Sequence, residues 1–514
     1  MEKIFANGTY FTDDFGRERI FNGINYVNKG KKKILFSKKK RYIFEFDESR
    51  IKKLKELGFN IIRLGIIWDA IEPEPNVYNE EYLKEIDKIV SLCEKYEIYF
   101  FLDLHQDLFG KIGDGAPDWA CLSKGYKFKK ALFIWAEGYF YSNAVQKSFD
   151  SFWANEQVNG KGLQDYYCDM IKYVTARYCD SPAFFGFDFF NEPYPGSDGK
   201  KVFTNIAEET LNTVNKSVNG KKFKKFNAEK CFENGREKIG FLKLIGKIFV
   251  EMFSVKKIKA LKEIFGNKKS FHSIVVKNKK IIKKFDENVY TPFLNKCAKA
   301  LRSVTSKGVL LMENSYYSNL GIPYSAPPIC VDGNRESNVA FAPHGYDLFV
   351  DSPLYKYASN ERVDSIFEEH EKSQKRLEMP VIVGEWGGYT SGTKWVAHIE
   401  HLIDFFNERK WSSVYWCYYD KVLKSPVINA LSRPYPQKIC GNIIDFKYNK
   451  NSNIFELNFE QSTKFNADSI VYLHKNPKKI ISDCDYVFEE YEVGNCGILK
   501  IKSDTGKHFV KVEF

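Results

Sequence analysis

Phe184–Gly196 reads FFGFDFFNEPYPG. Its apolar run (Phe184, Phe185, Phe187, Phe189 and Phe190) suits a strand buried on both faces, the pattern of an all-parallel sheet. The run breaks at Asn191-Glu192-Pro193, where a carboxylate has an amide before it and a proline after it. A (β/α)8 barrel carries its chemistry at the C-terminal ends of its strands. Glu192 is therefore either a reacting group or an ordinary strand end at the surface, and its partners elsewhere in the chain decide between the two.

Working outward, the same alternation of helical period and short apolar run recurs. Ile20–Tyr26 and Asn60–Leu64 read as strands one and two, with Lys29 and Arg63 near their ends. Glu48–Leu57 and Glu80–Tyr96 have helical period, and Tyr99–Leu104 is strand three. After it come His105 and Asp107 and a long loop holding Gly113–Trp119, and long loops after strand ends are more often functional than idle. Helices over Asn143–Trp153 and Gly162–Tyr178 lead into FFGFDFF as strand four. Glu287–Ser303 is helical, and Val309–Met312 is strand five, ending at Glu313, which reads as structural. Ala340–Pro343, Pro380–Gly384 and Ser413–Cys417 are strands six to eight, followed or ended by His344 and Tyr346, by Glu385, and by Trp416. Eight strands with helices between most of them predict a closed (β/α)8 TIM barrel, of the α/β class, over residues 1–432. From residue 433 the pattern turns to short alternating runs, which predicts a small antiparallel β-sandwich over 433–514.

Composition limits the classes of function. At 514 residues, with 44% hydrophobic and 28% charged residues, the chain is globular; its 31 Tyr and 44 Phe suggest aromatic-lined surfaces. The N-terminus lacks the apolar h-region of about 7–15 residues that marks a secretory signal. No uncharged apolar stretch reaches the ~18 residues of a membrane-spanning helix. The eleven cysteines have no CxxC pairing or short Cys/His spacing, so reduced thiols in a cytoplasmic protein is the reading, with no metal. Net charge is +12, yet residues 216–284 alone hold 21 Lys and Arg against 5 Asp and Glu, leaving 57 against 61 elsewhere. The basicity belongs to one segment, which argues against a nucleic-acid partner.

Two of the strand-end residues are glutamates, Glu192 after strand four and Glu385 after strand seven. Paired carboxylates are what glycoside hydrolysis needs: one protonates the leaving oxygen, the other attacks the anomeric carbon or activates water. No phosphate-cradling glycine loop, nucleophile elbow or zinc-binding HExxH is present.

The stretches DLHQD (103–107), GDGAPDWA (113–120), FDFFNEPYPG (187–196), MENSYYSNLGIPYSAPP (312–328), FAPHGYD (341–347), VIVGEWGGY (381–389) and RPYPQKICG (433–441) resemble glycoside hydrolase family 5 of clan A. Within it they are most similar to the endoglycoceramidase and glycosylceramidase group. The resemblance implies a retaining β-glycosidase acting on the bond between a sugar and a lipid aglycone, with a glycolipid as partner and no cofactor. It implies Glu192 as general acid/base and Glu385 as nucleophile, with Arg63 and Tyr346 holding Glu385 ionised. Asn191 is assigned to the sugar 2-hydroxyl, and His105 and His344 to the wall of the −1 subsite. Lys29, Asp107 and Trp153 are assigned to sugar binding, and Trp416 to the stacking platform. The other readings are a family 5 endo-β-glucanase or mannanase, and a catalytically silent glycolipid-binding or membrane-adaptor protein.

Residues 199–286 depart from the family pattern. Within them Gly240–Phe265 has apolar residues at helical spacing (Phe241, Leu244, Ile245, Ile248, Met252, Val255, Ile258, Leu261), with lysines between. This predicts one basic amphipathic helix, able to lie on an anionic membrane and attach the protein peripherally, or else to pack on the barrel with a solvated lysine face.

Overall fold

The computed structural model of the chain describes residues 1–29, 42, 46–133, 135–232, 237–350, 355–388, 392–492 and 494–514. Most of the basic loop expected between Asn28 and Arg41 lies outside the described residues.

Eight parallel strands form the body: β1 (Asn22–Val27), β2 (Ile61–Ile66), β3 (Tyr99–Leu104), β4 (Phe184–Asp188), β5 (Val309–Met312), β6 (Val339–Phe341), β7 (Ile382–Gly387) and β8 (Ser412–Trp416). They pair in the order β6-β5-β4-β3-β2-β1-β8-β7. The remaining gap, between β6 and β7, is spanned by isolated parallel bridges, Phe341 to Val381 and His344 to Glu385. Backbone hydrogen bonds cross that seam, among them Phe341 N–H to Pro380 O at 2.9 Å, Gly384 N–H to Pro343 O at 2.9 Å and Gly345 N–H to Glu385 O at 3.2 Å. The structure is an eight-stranded barrel followed by antiparallel sheets.

The opening stretch behaves as its composition requires. Phe185 joins Ile61, Tyr99, Phe101, Val309, Leu311 and Val414 in the barrel interior, while Phe187, Phe189 and Phe190 belong to the core between strands and helices. Gly186 allows the close pairing of β4 with β5, since a Cβ there would lie 1.9 Å from the Val309 carbonyl oxygen. The outer layer contains α1 (Glu48–Glu56), α2 (Glu80–Lys95), α3 (Asn143–Trp153), α4 (Leu163–Tyr178), α5 (Ser197–Asn219), α6 (Glu237–Glu251), α7 (Val255–Gly266), α8 (Lys268–Val275), α9 (Thr291–Arg302), α10 (Asn360–Leu377) and α11 (Thr393–Glu408). In α2 the Asn79 side chain caps the Tyr82 N–H, and Tyr82, Leu83, Ile86, Ile89, Val90 and Cys93 form one buried stripe.

Two expectations need correction. Residues 4–19 do not belong to the barrel sheet. The strands Ile4–Asn7, Tyr10–Asp13 and Glu18–Arg19 pair in series, and Glu18–Arg19 then pairs with β9 (Tyr435–Ile439). The seven-stranded sheet so formed continues through β12 (Ser469–Leu473) and β15 (Gly497–Lys502) to β14 (Asp485–Glu490). It shares a core, including Phe455, Leu457, Val471, Leu499 and Val510, with a four-stranded sheet of β10 (Asn442–Asn449), β11 (Ile454–Gln461), β16 (Gly506–Glu513) and β13 (Lys479–Ser482). The N-terminal side chains Ile4 and Phe11 meanwhile fill the barrel floor, so the two ends of the chain are joined.

The second correction concerns the lysine-rich segment. The single helix expected over Gly240–Phe265 is two, α6 and α7, with a turn at Met252–Ser254. The physical reason is burial of α7 on α5, through Ala260 and Ile264 against Val214, with Met252 and Leu261 packed beside them. No described helix is long and apolar enough to cross a membrane.

Candidate active site

Arg63 on β2 stands, fully buried, at the centre of the barrel mouth. Its Nη1 donates to Glu385 Oε1 at 2.5 Å and to Asn25 Oδ1 at 3.1 Å. Its Nε and Nη2 donate to Asp188 Oδ2 at 3.1 and 3.0 Å, and Nη2 also donates to Asn191 Oδ1 at 2.9 Å and lies 3.0 Å from Asp103 Oδ1. One planar fork thus ties the ends of β1, β2, β3, β4 and β7 together, a task suited to guanidinium and not to a point-charge ammonium.

Glu385 is held from its other side by Tyr346, whose hydroxyl donates to Oε2 at 2.8 Å. Glu192 faces it: one oxygen of each carboxylate and a ring nitrogen of His344 all lie within 4.8 Å of one another. Asn319 Nδ2 donates to Glu192 Oε1 at 2.7 Å. The Glu192 backbone is in the left-handed region, φ 46°, which costs a residue with a Cβ free energy and persists only where the surroundings impose it. Here Glu313 Oε1 accepts the Glu192 N–H at 2.7 Å, and Gln106 Nε2 donates to the carbonyls of Asn191 and Glu192 at 2.8 and 3.3 Å.

On the opposite wall Lys29 Nζ pairs with Asp107 Oδ2 at 2.6 Å and stands 4.5 Å from the centre of the Trp416 ring. His105 stacks on Trp416 at 5.4 Å, and its Nδ1 bonds Asp103 Oδ2 at 2.8 Å. Among the described residues His105 Nε2 and both His344 ring nitrogens are buried without a hydrogen-bond partner. His344 Nδ1 nevertheless lies 3.5, 3.4 and 3.7 Å from carboxylate oxygens of Glu192, Glu313 and Glu385, and His105 Nε2 lies 3.8 Å from Asp107 Oδ2. Asn191 Nδ2 donates to the Gln106 carbonyl at 3.0 Å and retains a second hydrogen.

Burial lifts the carboxylates of this cluster, and the nearby cations divide them. Glu192 is raised to about 8, by burial first and then by the charges of Glu385 and Asp107. Glu313 is pushed well up by burial and by Asp188. Burial also raises Glu385, but the Arg63 guanidinium at 2.5 Å opposes it, followed by His105 and Lys29. Protons therefore settle on Glu192 and Glu313 in preference to Glu385. Across the mouth burial works against charge on both partners, yet Lys29 and His105 hold Asp107 down to about 2, and Asp103 and Asp107 lift His105 to about 9. His344 is pushed well below the usual histidine range by burial and then by Arg63, so it is neutral. Asp188, Glu313 and His344, like Glu192, His344 and Glu385, have the spacing of a metal-ligand triad, but the Arg63 guanidinium already lies against Asp188, Glu313 and Glu385.

Of the residues singled out from sequence, the structure brings together Glu192, Glu385, Asn191, Arg63, His105, Asp107, His344, Tyr346, Trp416 and Lys29. Trp153 stands apart. Its indole N–H donates to the Tyr194 carbonyl at 2.8 Å and its ring packs among Phe149, Phe152, Phe190, Phe285 and Phe293. The sequence reading missed Asp103, Asp188, Asn25 and Asn319, and it set Glu313 aside. The strand-end position of Glu313 was the available signal, whereas Asn319 sits seven residues past β5 with nothing local to mark it.

Residues 28–222 and 267–422 match the family model described as cellulase (glycosyl hydrolase family 5), and residues 433–512 match the glycoside hydrolase family 5 C-terminal domain. The chain belongs to glycoside hydrolase family 5. Within family 5 it is 33% identical over 224 residues to an endoglycoceramidase of Cyanea nozakii, covering 38% of this chain and 43% of that protein. It is 31% identical over 212 residues to an endoglycoceramidase of Hydra vulgaris, covering 36% and 39%. The matches thus span about two fifths of the length of these curated relatives. The family 5 fold is matched along its whole length by the ganglioside GM3 complex of endo-glycoceramidase II from Rhodococcus sp., with TM-score 0.70, 19% identity and 99% of each chain covered. Residues 223–266, holding α6 and α7, fall outside the family 5 match.

Proposed function

We propose that this family 5 protein is a retaining β-glycosidase that cleaves the bond between a sugar or oligosaccharide and a lipid aglycone, with β-glycosylceramides as the substrate class. The observation that carries the reading is the facing of Glu192 and Glu385, with carboxylate oxygens within 4.8 Å. Retaining enzymes set their two carboxyl groups about 5–5.5 Å apart, whereas inverting ones leave about 6.5–9.5 Å for a water. The endoglycoceramidase relatives and the ganglioside complex of the structural neighbour support the lipid aglycone.

In this mechanism Glu192, protonated because burial and the Glu385 charge raise it, gives its proton to the leaving glycosidic oxygen. Glu385, kept on its axis by Arg63 and Tyr346, attacks the anomeric carbon and forms a glycosyl ester. Glu192, left as a carboxylate by that transfer and no longer facing the Glu385 charge once the ester has formed, then takes a proton from water, which opens the ester. The free Asn191 hydrogen is directed to the sugar 2-hydroxyl, a contact that strengthens as oxocarbenium character develops. Trp416 supplies the flat apolar face for the sugar ring, with Lys29, Asp107 and His105 beside it for hydroxyls. The lysine-rich segment 216–284 is proposed to meet an anionic membrane surface, where such substrates reside.

Mass spectrometry of products from a panel of glycolipids and polysaccharides tests this. Release of a free sugar or oligosaccharide and an intact ceramide, abolished in Glu385→Gln, is the expected result. Cleavage confined to polysaccharides, or glycolipid turnover unchanged in Glu385→Gln, would overturn it.

A further inference from the structure

We infer that the α6–α7 hairpin, residues 237–266, is a wedge that inserts its apolar tip into an anionic lipid bilayer. This rests on the lipid-aglycone reading and goes beyond the surface contact of the lysines, because it assigns the insertion to particular side chains.

The tip is unusually bare. Phe249 is 68% exposed, Val250 73%, Phe253 80% and Val255 85%, all within the last turn of α6, the connecting turn and the first residue of α7. Soluble surfaces show large apolar residues singly; a contiguous group of this kind marks an interaction site. Ile245 and Ile258 extend the apolar surface up the two arms, 39% and 46% exposed. The expected stripe is thus divided: Phe241 and Leu244 are buried in the body, Ile248, Met252 and Leu261 are half-buried, and the outer residues face solvent. An amphipathic helix that merely covered the barrel would have buried its apolar residues and exposed only its lysines.

The charges select the partner. Lys243, Lys247, Lys256, Lys259 and Lys262 are exposed around the apolar tip, and the hairpin carries 7 Lys against 3 Glu. One of those glutamates, Glu237, is buried and bound by Lys129 at 2.8 Å and by the Asn143 N–H at 2.9 Å. Apolar tip within cationic collar is the complement of hydrocarbon beneath anionic headgroups.

The base of the hairpin places it on the catalytic side. Phe241 packs on Tyr141 at 5.2 Å, in the connection that follows β3, and Lys262 lies 5.4 Å from the Tyr357 ring, in the connection that follows β6. Between hairpin and mouth the same β3 connection exposes Leu132, Phe133 and Trp135, and Trp135 lies 5.9 Å from Lys29. A lipid chain leaving the bilayer beside the wedge meets this apolar lip before the sugar site. The wedge falls within the residues that the family model does not match.

Sedimentation of the full chain with vesicles of phosphatidylcholine, with and without phosphatidylserine, tests the wedge without any catalysis. Wild type should co-sediment with the mixed vesicles. Phe249→Ser/Phe253→Ser should lower the partition at least ~10-fold, and Lys256→Glu/Lys259→Glu should abolish the preference for phosphatidylserine. Hydrolysis of a water-soluble aryl β-glycoside by both variants should match wild type, which also reports correct folding. Failure of wild type to bind, or binding unchanged in the Phe249/Phe253 variant, overturns the wedge. So does light scattering that finds a dimer dissolved by the Phe substitutions, since the tip would then cover a second copy. Vesicle binding without any glycoside turnover would overturn the glycosidase reading and leave the wedge standing.

Discussion

Glu313 holds Glu192 by its backbone: the Glu192 N–H donates to Glu313 Oε1 at 2.7 Å. The carboxylate at the end of one strand thus fixes the left-handed turn that aims the carboxylate at the end of the previous one. Glu313→Ala should lower kcat about 100-fold, the scale of a misplacement of roughly 1 Å, with a smaller change in KM. Glu313→Gln keeps an acceptor for that N–H and should lose under about 10-fold. Steady-state kinetics on a soluble aryl glycoside and on glycolipid separates the two; equal losses would make Glu313 a charge and not a brace.

Substitution of the two facing glutamates should leave different residues of activity. Glu192→Ala should lose about 10²–10⁴-fold on glycolipid, the contribution of general acid catalysis, but far less on an aryl glycoside whose leaving group needs no proton. Added azide should then give a product of retained configuration. Glu385→Ala should fail on both substrates, and azide should give the inverted product. Nuclear magnetic resonance of the glycosyl azides reads the outcome, and the same anomer from both variants would remove the assigned roles.

Activity should fall as pH rises through about 8, where the free enzyme loses the Glu192 proton. The sign follows from the mechanism: the first step needs Glu192 protonated, so kcat/KM is full below that value and declines above it. Because the Glu385 charge is one cause of the elevation, Glu385→Gln should bring the Glu192 titration down. Carboxyl infrared difference spectra of the variant measure it directly; an unmoved Glu192 would mean that burial and Asp107 raise it without Glu385.

Arg63→Met should leave Asp103, Asp188 and Glu385 buried without their common counter-charge, a loss on the order of 3–5 kcal/mol. The variant should be most stable at low pH, where Asp188 and Glu385, both raised by burial, protonate, and weaken as pH rises. Urea unfolding at several pH values checks this against wild type.

Trp153→Ala should act on stability and not on recognition. Its ring lies in an aromatic cluster, and truncating a packed tryptophan costs about 3 kcal/mol or more. KM of the folded fraction should stay within about two-fold. A large KM change without destabilisation would restore the sugar-binding role expected from sequence.

The packing of Trp153 shows where reading a sequence stops. Glu192, Glu385 and Arg63 were visible because each interrupts or closes an apolar strand, and a charge in such a place must have a partner. Trp153 ends an amphipathic helix, and nothing local says which side of the strand-four loop its ring faces. Asn319 was invisible because a short 3-10 turn, not a strand end, carries it to Glu192. The break at Met252–Ser254 was hidden for a related reason. No glycine or proline marks it, and the bend comes from α7 burying Ala260 and Ile264 on α5. The pairing of residues 4–19 with the C-terminal sheet joins segments more than 400 positions apart, beyond any local periodicity.

The seam between β6 and β7 gives the barrel a weak joint in a telling position. Every other neighbouring pair of strands is joined by a ladder, bulged in β3–β4 and β7–β8, whereas here two isolated bridges serve, and one of them is His344 to Glu385. Opening the joint by a fraction of an ångström would move Glu385 away from Glu192 before any other strand yields. On heating, such a barrel should go silent while it still looks folded, and amide exchange at Gly345 should report the loss of activity sooner than any global melting signal.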